Sequence, residues 1–171
     1  MGSEMCIRDR LTSGGVSTGE EDHVRKVVEN EGSLLFWRLA IKPGRPVALG
    51  QFNDTVFIGL PGNPVAAMVT FLQIARPIIL KLSGANDTAP KLFSVQSDFS
   101  YKKKLHRREY VRVQINKNGN GKLIAKKFQR EGAGILSSMV FADGFVELSE
   151  DIVNVEKGDF VNYIPFSELG L

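Results

Sequence analysis

Two stretches carry residue types suited to binding anions. The first runs TSGGVSTGEEDHV, with Thr12, Ser13, Gly14, Gly15, Ser17 and Gly19 ahead of the acids Glu20, Glu21 and Asp22. The second runs LPGNPV, with Pro61, Gly62, Asn63 and Pro64. Each reads as a strand end, a glycine turn and a helix start. A helix N-terminus presents unsatisfied N–H groups and a partial positive charge, which suit phosphate-like anions. Glycine admits close backbone approach. Ligands of open α/β sheets sit beyond the carboxyl ends of strands, so two such ends could line one crevice. The three acids have two readings. They complement the helix dipole, or one carboxylate holds Mg²⁺ that bridges to a phosphate.

Cations cluster in two places. RLAIKPGRP offers Arg38, Lys42 and Arg45. At strand spacing Arg38 and Lys42 share a face, either as solvated surface or as a hold on a polyanion. KKKLHRREYVR, residues 102–112, is the densest basic run, with Tyr101 and Tyr110 interleaved. The plainer reading is an edge strand guarded by lysine; the other is a single-stranded nucleic-acid surface. His23 and His106 lack partners at metal-ligand spacing.

The elements that must position these residues are legible. A helix is expected from Glu20 to about Glu31, with Val24, Val27 and Val28 on one apolar face and Gly32 as a left-handed cap. Leu34–Ile41 reads as a strand, and residues 47–60 as two strands around Asn53-Asp54. Asn63 as N-cap and Pro64 as first residue open a helix to Leu82. That helix is apolar all round and expected to be buried; Pro77 should kink or end it. After a linker at residues 83–90 the pattern turns to short strands. They are expected at 92–99, 110–115, 123–128, 145–148 and 160–164, with a hairpin loop at 116–122. The fold class is therefore α/β followed by a small all-β barrel or sandwich, with residues 11–85 in the first domain and 86–171 in the second.

Composition bounds the rest. The chain has 171 residues, 43% hydrophobic and 24% charged, and a net charge of +3, too mild to argue for nucleic acid. Its one cysteine, Cys6, allows no internal disulfide and fits a reducing compartment. No uninterrupted apolar run reaches the roughly 18 residues of a membrane span. Residues 1–10 lack an apolar signal core and read as a foreign leader.

In this order, TSGGVSTGEEDHV, FWRLAIKPGRP and GLPGNPVAAMVTF resemble the MoeA family of molybdopterin molybdenumtransferases, which includes the gephyrin E domain. RREYVR and GAGILSSM resemble its C-terminal β domain more loosely. The resemblance implies a partial three-layer α/β/α molybdopterin-binding domain followed by a barrel-like domain. It also implies a cytoplasmic enzyme that inserts molybdenum from molybdate into adenylylated molybdopterin, releasing AMP with Mg²⁺ assisting. Residues 12–19 would cradle the pterin phosphate or molybdate. Asp22 would handle metal or oxyanion, and Arg38 and Lys42 would be basic active-site residues. Pro61, Gly62, Asn63 and Pro64 would shape the pocket wall, and Arg107 would join the substrate-binding set. The family is expected to be homodimeric, with no nucleic-acid or membrane partner.

Two departures are minor: Ala66 stands where many members have serine, and Arg38 where some have lysine. The family's N-terminal domains are not in the sequence. The chain is thus expected to be a C-terminal fragment, inactive alone. The alternatives are a related pterin-binding adenylyltransferase-type enzyme and a non-catalytic binding or scaffold module.

Overall fold

The computed structural model describes residues 10–13, 23–52, 54–129 and 132–171. These form two compact units. One extends to Leu39 and includes Gly44–Asn86; the other comprises Ala40–Pro43 and Asp87–Leu171. The chain thus leaves the first unit for four residues and returns.

The elements in chain order are β1 (Arg10–Ser13), α1 (His23–Glu31), β2 (Ser33–Arg38), β3 (Ile41–Lys42), β4 (Pro46–Phe52), β5 (Thr55–Leu60), α2 (Pro64–Thr70) and α3 (Arg76–Leu82). The first unit's sheet has the order β1-β5-β4-β2. Strands β1 and β5 are parallel, and β4 is antiparallel to both β5 and β2. Ile58, Leu60 and Ala75 form a cluster joined by Leu49, Phe71 and Ile78, so α2 and α3 cover one sheet face. Val28 of α1 packs where a Cβ on Gly50 would point. Gly50 and Leu49 are neighbours on one strand and face opposite ways, so α1 covers the other face. The layering is α/β/α.

Three local expectations change. Gly32 is not left-handed; glycine is needed because a Cβ there would lie 2.5 Å from the carbonyl oxygen of Gln51. Val28 is buried but Val27 is half exposed, so the apolar face of α1 is narrower than its spacing suggests. Pro77 does not end the helix. A π segment, Phe71–Ala75, joins α2 to α3, and such a widened turn precedes the missing N–H and ring bulk of the proline.

The composite helix Pro64–Leu82 corrects the hydropathy reading. It spans 19 residues at a mean hydropathy of 1.6, long and apolar enough to cross a membrane by length and composition alone. Arg76 and Lys81 interrupt the apolar run but do not pull its mean down. The helix is also less buried than expected: Val65, Ala66, Val69, Thr70, Leu72 and Ala75 are buried, whereas α3 has no buried residue.

The second unit holds β6 (Phe93–Ser97), β7 (Tyr101–Lys102), β8 (Arg108–Lys117), β9 (Leu123–Lys127), α4 (Ser137–Val140), β10 (Gly144–Leu148), β11 (Asn154–Val155) and β12 (Phe160–Pro165). The order β10-β12-β6-β9-β8 closes through a β8–β10 pairing, giving a five-stranded barrel. Val95, Val113, Ala125, Val146, Leu148 and Val161 fill it. Strand β3 adds parallel to the start of β8, with Lys42 opposite Glu109. That pairing is why Ala40–Pro43 joins this unit and not, as the sequence suggested, the first. Residues 109–113 of β8 are buried without alternation, where β8 pairs with β10. Strand β8 pairs with β10, β9 and β3, so the edge-strand reading of the basic run fails for residues 108–112, whereas Lys102 lies on β7 of a two-stranded sheet.

Phe145 is fully buried, with ring centroids 6.0 Å from Tyr110 and 5.0 Å from Phe166. Phe145→Ala should destabilise the barrel by about 3–5 kcal/mol. Val140→Ala, at a position 75% exposed, should change stability by no more than about 0.5 kcal/mol. Urea unfolding of both variants checks the pair.

Candidate functional site

The first unit gathers three strand ends on one sheet edge. In the parallel β1–β5 pair, Thr12 lies opposite Gly59 and Ser13 opposite Leu60. The two expected anion-binding turns therefore leave adjacent strands in the same direction. Strand β2 runs the same way, since it is two antiparallel steps from β5, so Arg38 ends on this edge too. This is the carboxyl edge where ligands of open α/β sheets bind. Gly14, Gly15, Ser17, Gly19 and Asp22 lie outside the described residues. Pro61 is buried, and Gly62, Asn63 and Pro64 are exposed. Asn63 occupies the N-cap and Pro64 the first turn as expected, but the Asn63 side chain makes no capping bond.

Arg38 and Lys42 do not share a strand face. The strand expected over Leu34–Ile41 stops at Arg38, and Lys42 sits on β3 in the second unit. The sequence pattern could not show that break, because LLFWRLAI holds no glycine or proline to mark it.

Lys42 instead belongs to a charged cluster around one buried carboxylate. Glu109 is 1% exposed. The Tyr101 hydroxyl donates to its Oε2 at 2.7 Å. Arg107 donates through Nε to Oε1 at 2.9 Å and also through Nη2. Lys42 Nζ lies 3.4 Å from Oε2 and donates to the Tyr101 hydroxyl at 3.2 Å. Lys127 Nζ stands 5.3 Å from the centre of the Tyr101 ring, within cation–π range. A cavity of about 130 Å³ opens beside this cluster. Lys42, Arg112 and Lys127 line it against the single carboxylate of Glu109, with Tyr101, Phe128 and Pro43 among the other walls. Three cations against one carboxylate give the cavity a net positive charge, so it favours anions.

Arg107 was among the expected site residues; its guanidinium is turned to Glu109 and does not line the cavity. Tyr101 and Arg112 enter the sequence reading only as part of the basic, tyrosine-interleaved run, and Glu109 and Lys127 were missed; Glu109 stands out only as the lone glutamate in that run. Lys103 and Arg108 of that run are also engaged within the fold, whereas Lys102, Lys104 and His106 are exposed. Lys103 is buried and donates to the carbonyls of Lys104, Arg107 and Glu150. Arg108 makes paired bonds of 3.0 Å to Glu150 and lies 3.4 Å from Glu147. That pairing holds the Glu150 carboxyl below its usual range.

Burial holds the Lys103 ammonium below its usual range. The folded chain then binds that proton less tightly than the unfolded chain, so this group makes stability rise as pH climbs towards the ordinary lysine value. Lys103→Met should cost about 1–3 kcal/mol, since three carbonyls lose their donor, and should flatten that alkaline rise. Urea unfolding across alkaline pH measures both.

Comparison with known proteins joins the two units. Residues 94–166 match the family profile described as "MoeA C-terminal region (domain IV)". Residues 10–81 match that of a "Probable molybdopterin binding domain". The chain is 38% identical over 160 residues to a molybdopterin molybdenumtransferase of Haemophilus influenzae, covering 93% of this chain and 40% of that protein. It is 35% identical over 143 residues to the molybdenum cofactor synthesis protein cinnamon of Drosophila melanogaster, covering 81% of this chain and 23% of that protein. A solved molybdopterin biosynthesis MoeA protein from Pyrococcus horikoshii superposes with a TM-score of 0.70 at 26% identity, covering 91% of this chain and 36% of that one. The chain thus spans well under half the length of these relatives.

Proposed function

The chain belongs to the MoeA family, and from that membership we propose that it serves molybdenum insertion into adenylylated molybdopterin. Molybdate is the small anionic substrate and AMP the product released. The observation that carries this reading is the cationic cavity beside Glu109. Its volume of about 130 Å³ is below the roughly 300–1,000 Å³ of sites that enclose drug-sized ligands. It therefore suits a small tetrahedral oxyanion rather than the whole adenylylated pterin. Lys42, Arg112 and Lys127 would hold and neutralise molybdate there, with charge-assisted hydrogen bonds of the stronger class.

The pterin phosphate would go to the first unit's carboxyl edge. Thr12, Ser13 and residues 14–19 would supply hydroxyls and backbone N–H groups, Pro61–Pro64 the facing turn, and Arg38 a cation. The alternative of an adenylyltransferase-type enzyme is less favoured, because the match to the MoeA C-terminal region covers the second unit. The same reading carries a cytoplasmic homodimer. It also carries Mg²⁺ held by Asp22. Among the described residues no three His, Cys, Asp or Glu side chains converge on one point. No described residue is therefore assigned to that ion, and no step runs through it.

Lys42→Met should weaken molybdate binding to this chain by at least about tenfold, the equivalent of one charge-assisted hydrogen bond. Isothermal titration with molybdate checks it. An unchanged Kd would remove the cavity from the proposal. Arg38→Met should leave the molybdate Kd within about twofold and should weaken binding of a pterin phosphate, measured in the same instrument.

A further inference from the structure

Counting donors and acceptors around Glu109 separates the group that meets a ligand from the groups that hold it. The Tyr101 hydroxyl has one proton, and it is donated in a hydrogen bond to Glu109. Its oxygen meanwhile accepts from Lys42. Tyr101 thus has no O–H to offer an oxyanion and cannot act as its acid. Glu109 is buried and can only accept, so it repels an anion in the cavity. Lys42 has three donors. One goes to Tyr101 and the ammonium is ion-paired with Glu109 at 3.4 Å, so a donor remains for the cavity that Lys42 lines.

We infer that Glu109 and Tyr101 are positioning residues that fix the Lys42 ammonium at the cavity wall, so that its remaining donor faces the bound oxyanion. Lysine has a flexible four-carbon stem that loses much rotamer freedom when ordered, and the Lys42 side chain is 47% exposed. Two anchors set that ordering cost against contacts made before a ligand arrives, the general basis of preorganised binding. The three residues come from β3, β7 and β8, so the anchor also registers these strands at the cavity. Arg107 occupies the other carboxylate oxygen and keeps Glu109 from turning. The inference rests on the molybdate reading of the cavity.

The test turns on a sign. Glu109→Gln removes a negative charge from beside an anion site, and charge alone would tighten molybdate binding. Positioning demands the reverse. Tyr101→Phe keeps the ring and every charge, and removes both hydroxyl bonds. Titrating this chain with molybdate, with the thermal midpoint of each variant recorded alongside, reads both effects. The expected result is a Kd raised about tenfold in Tyr101→Phe, the worth of one hydrogen bond to a charged group, and raised as much or more in Glu109→Gln. A merely structural role would lower the thermal midpoint and leave the Kd of the folded molecules unchanged. That outcome, or tighter binding by Glu109→Gln, overturns the positioning role while the cavity keeps its molybdate. No molybdate binding by the unaltered chain overturns the molybdate reading, and the inference with it.

Discussion

A carboxylate taken out of water must be met by cations and hydrogen-bond donors or it will not stay charged. Glu109 imposes that constraint on the second unit. Its demands are met by Tyr101 from β7, Arg107 from the turn before β8, and Lys42 from β3. None of these segments belongs to the closed barrel of β6, β8, β9, β10 and β12 except Glu109 itself. The barrel supplies a rigid wall, and the buried charge recruits the outlying segments to it. The excursion of Ala40–Pro43 out of the first unit makes sense in these terms. It delivers a lysine that local sequence would assign elsewhere.

The first unit solves a different problem with backbone alone. A parallel β1–β5 pair sends both strand exits to one edge, whatever the loops beyond contain. Thr12 and Ser13 end one of these strands, and Gly62 and Asn63 follow the other. In the proposed reading the labour is divided: the strand-end edge of one unit would take a phosphate, and the small cationic cavity of the other an oxyanion.

Local features were legible in the sequence. The LPGNPV turn, the two strands around Asn53-Asp54 and the hairpin at residues 116–122 each carry their own turn chemistry. The barrel strands alternate strongly enough to be found within two or three residues. Features set by distant partners were not legible. Closure of the barrel depends on β8 meeting β10 some thirty residues later in the chain. The basic run looked like surface because its partners Glu147 and Glu150 lie far along the chain. Glu109 looked like one acid among many bases. The break after Arg38 is not marked by any glycine or proline within Leu34–Ile41. Pro77 does not end the helix, and a π segment lies just upstream of it.

The central claim is that the cavity beside Glu109 holds the oxyanion. Crystals of the chain soaked in molybdate, with anomalous differences collected at the molybdenum edge, test it most directly. The account predicts a molybdenum peak in that cavity, in hydrogen-bonding reach of Lys42 Nζ. A peak confined to the first unit's strand-end edge, with the cavity empty at the same molybdate concentration, would contradict it.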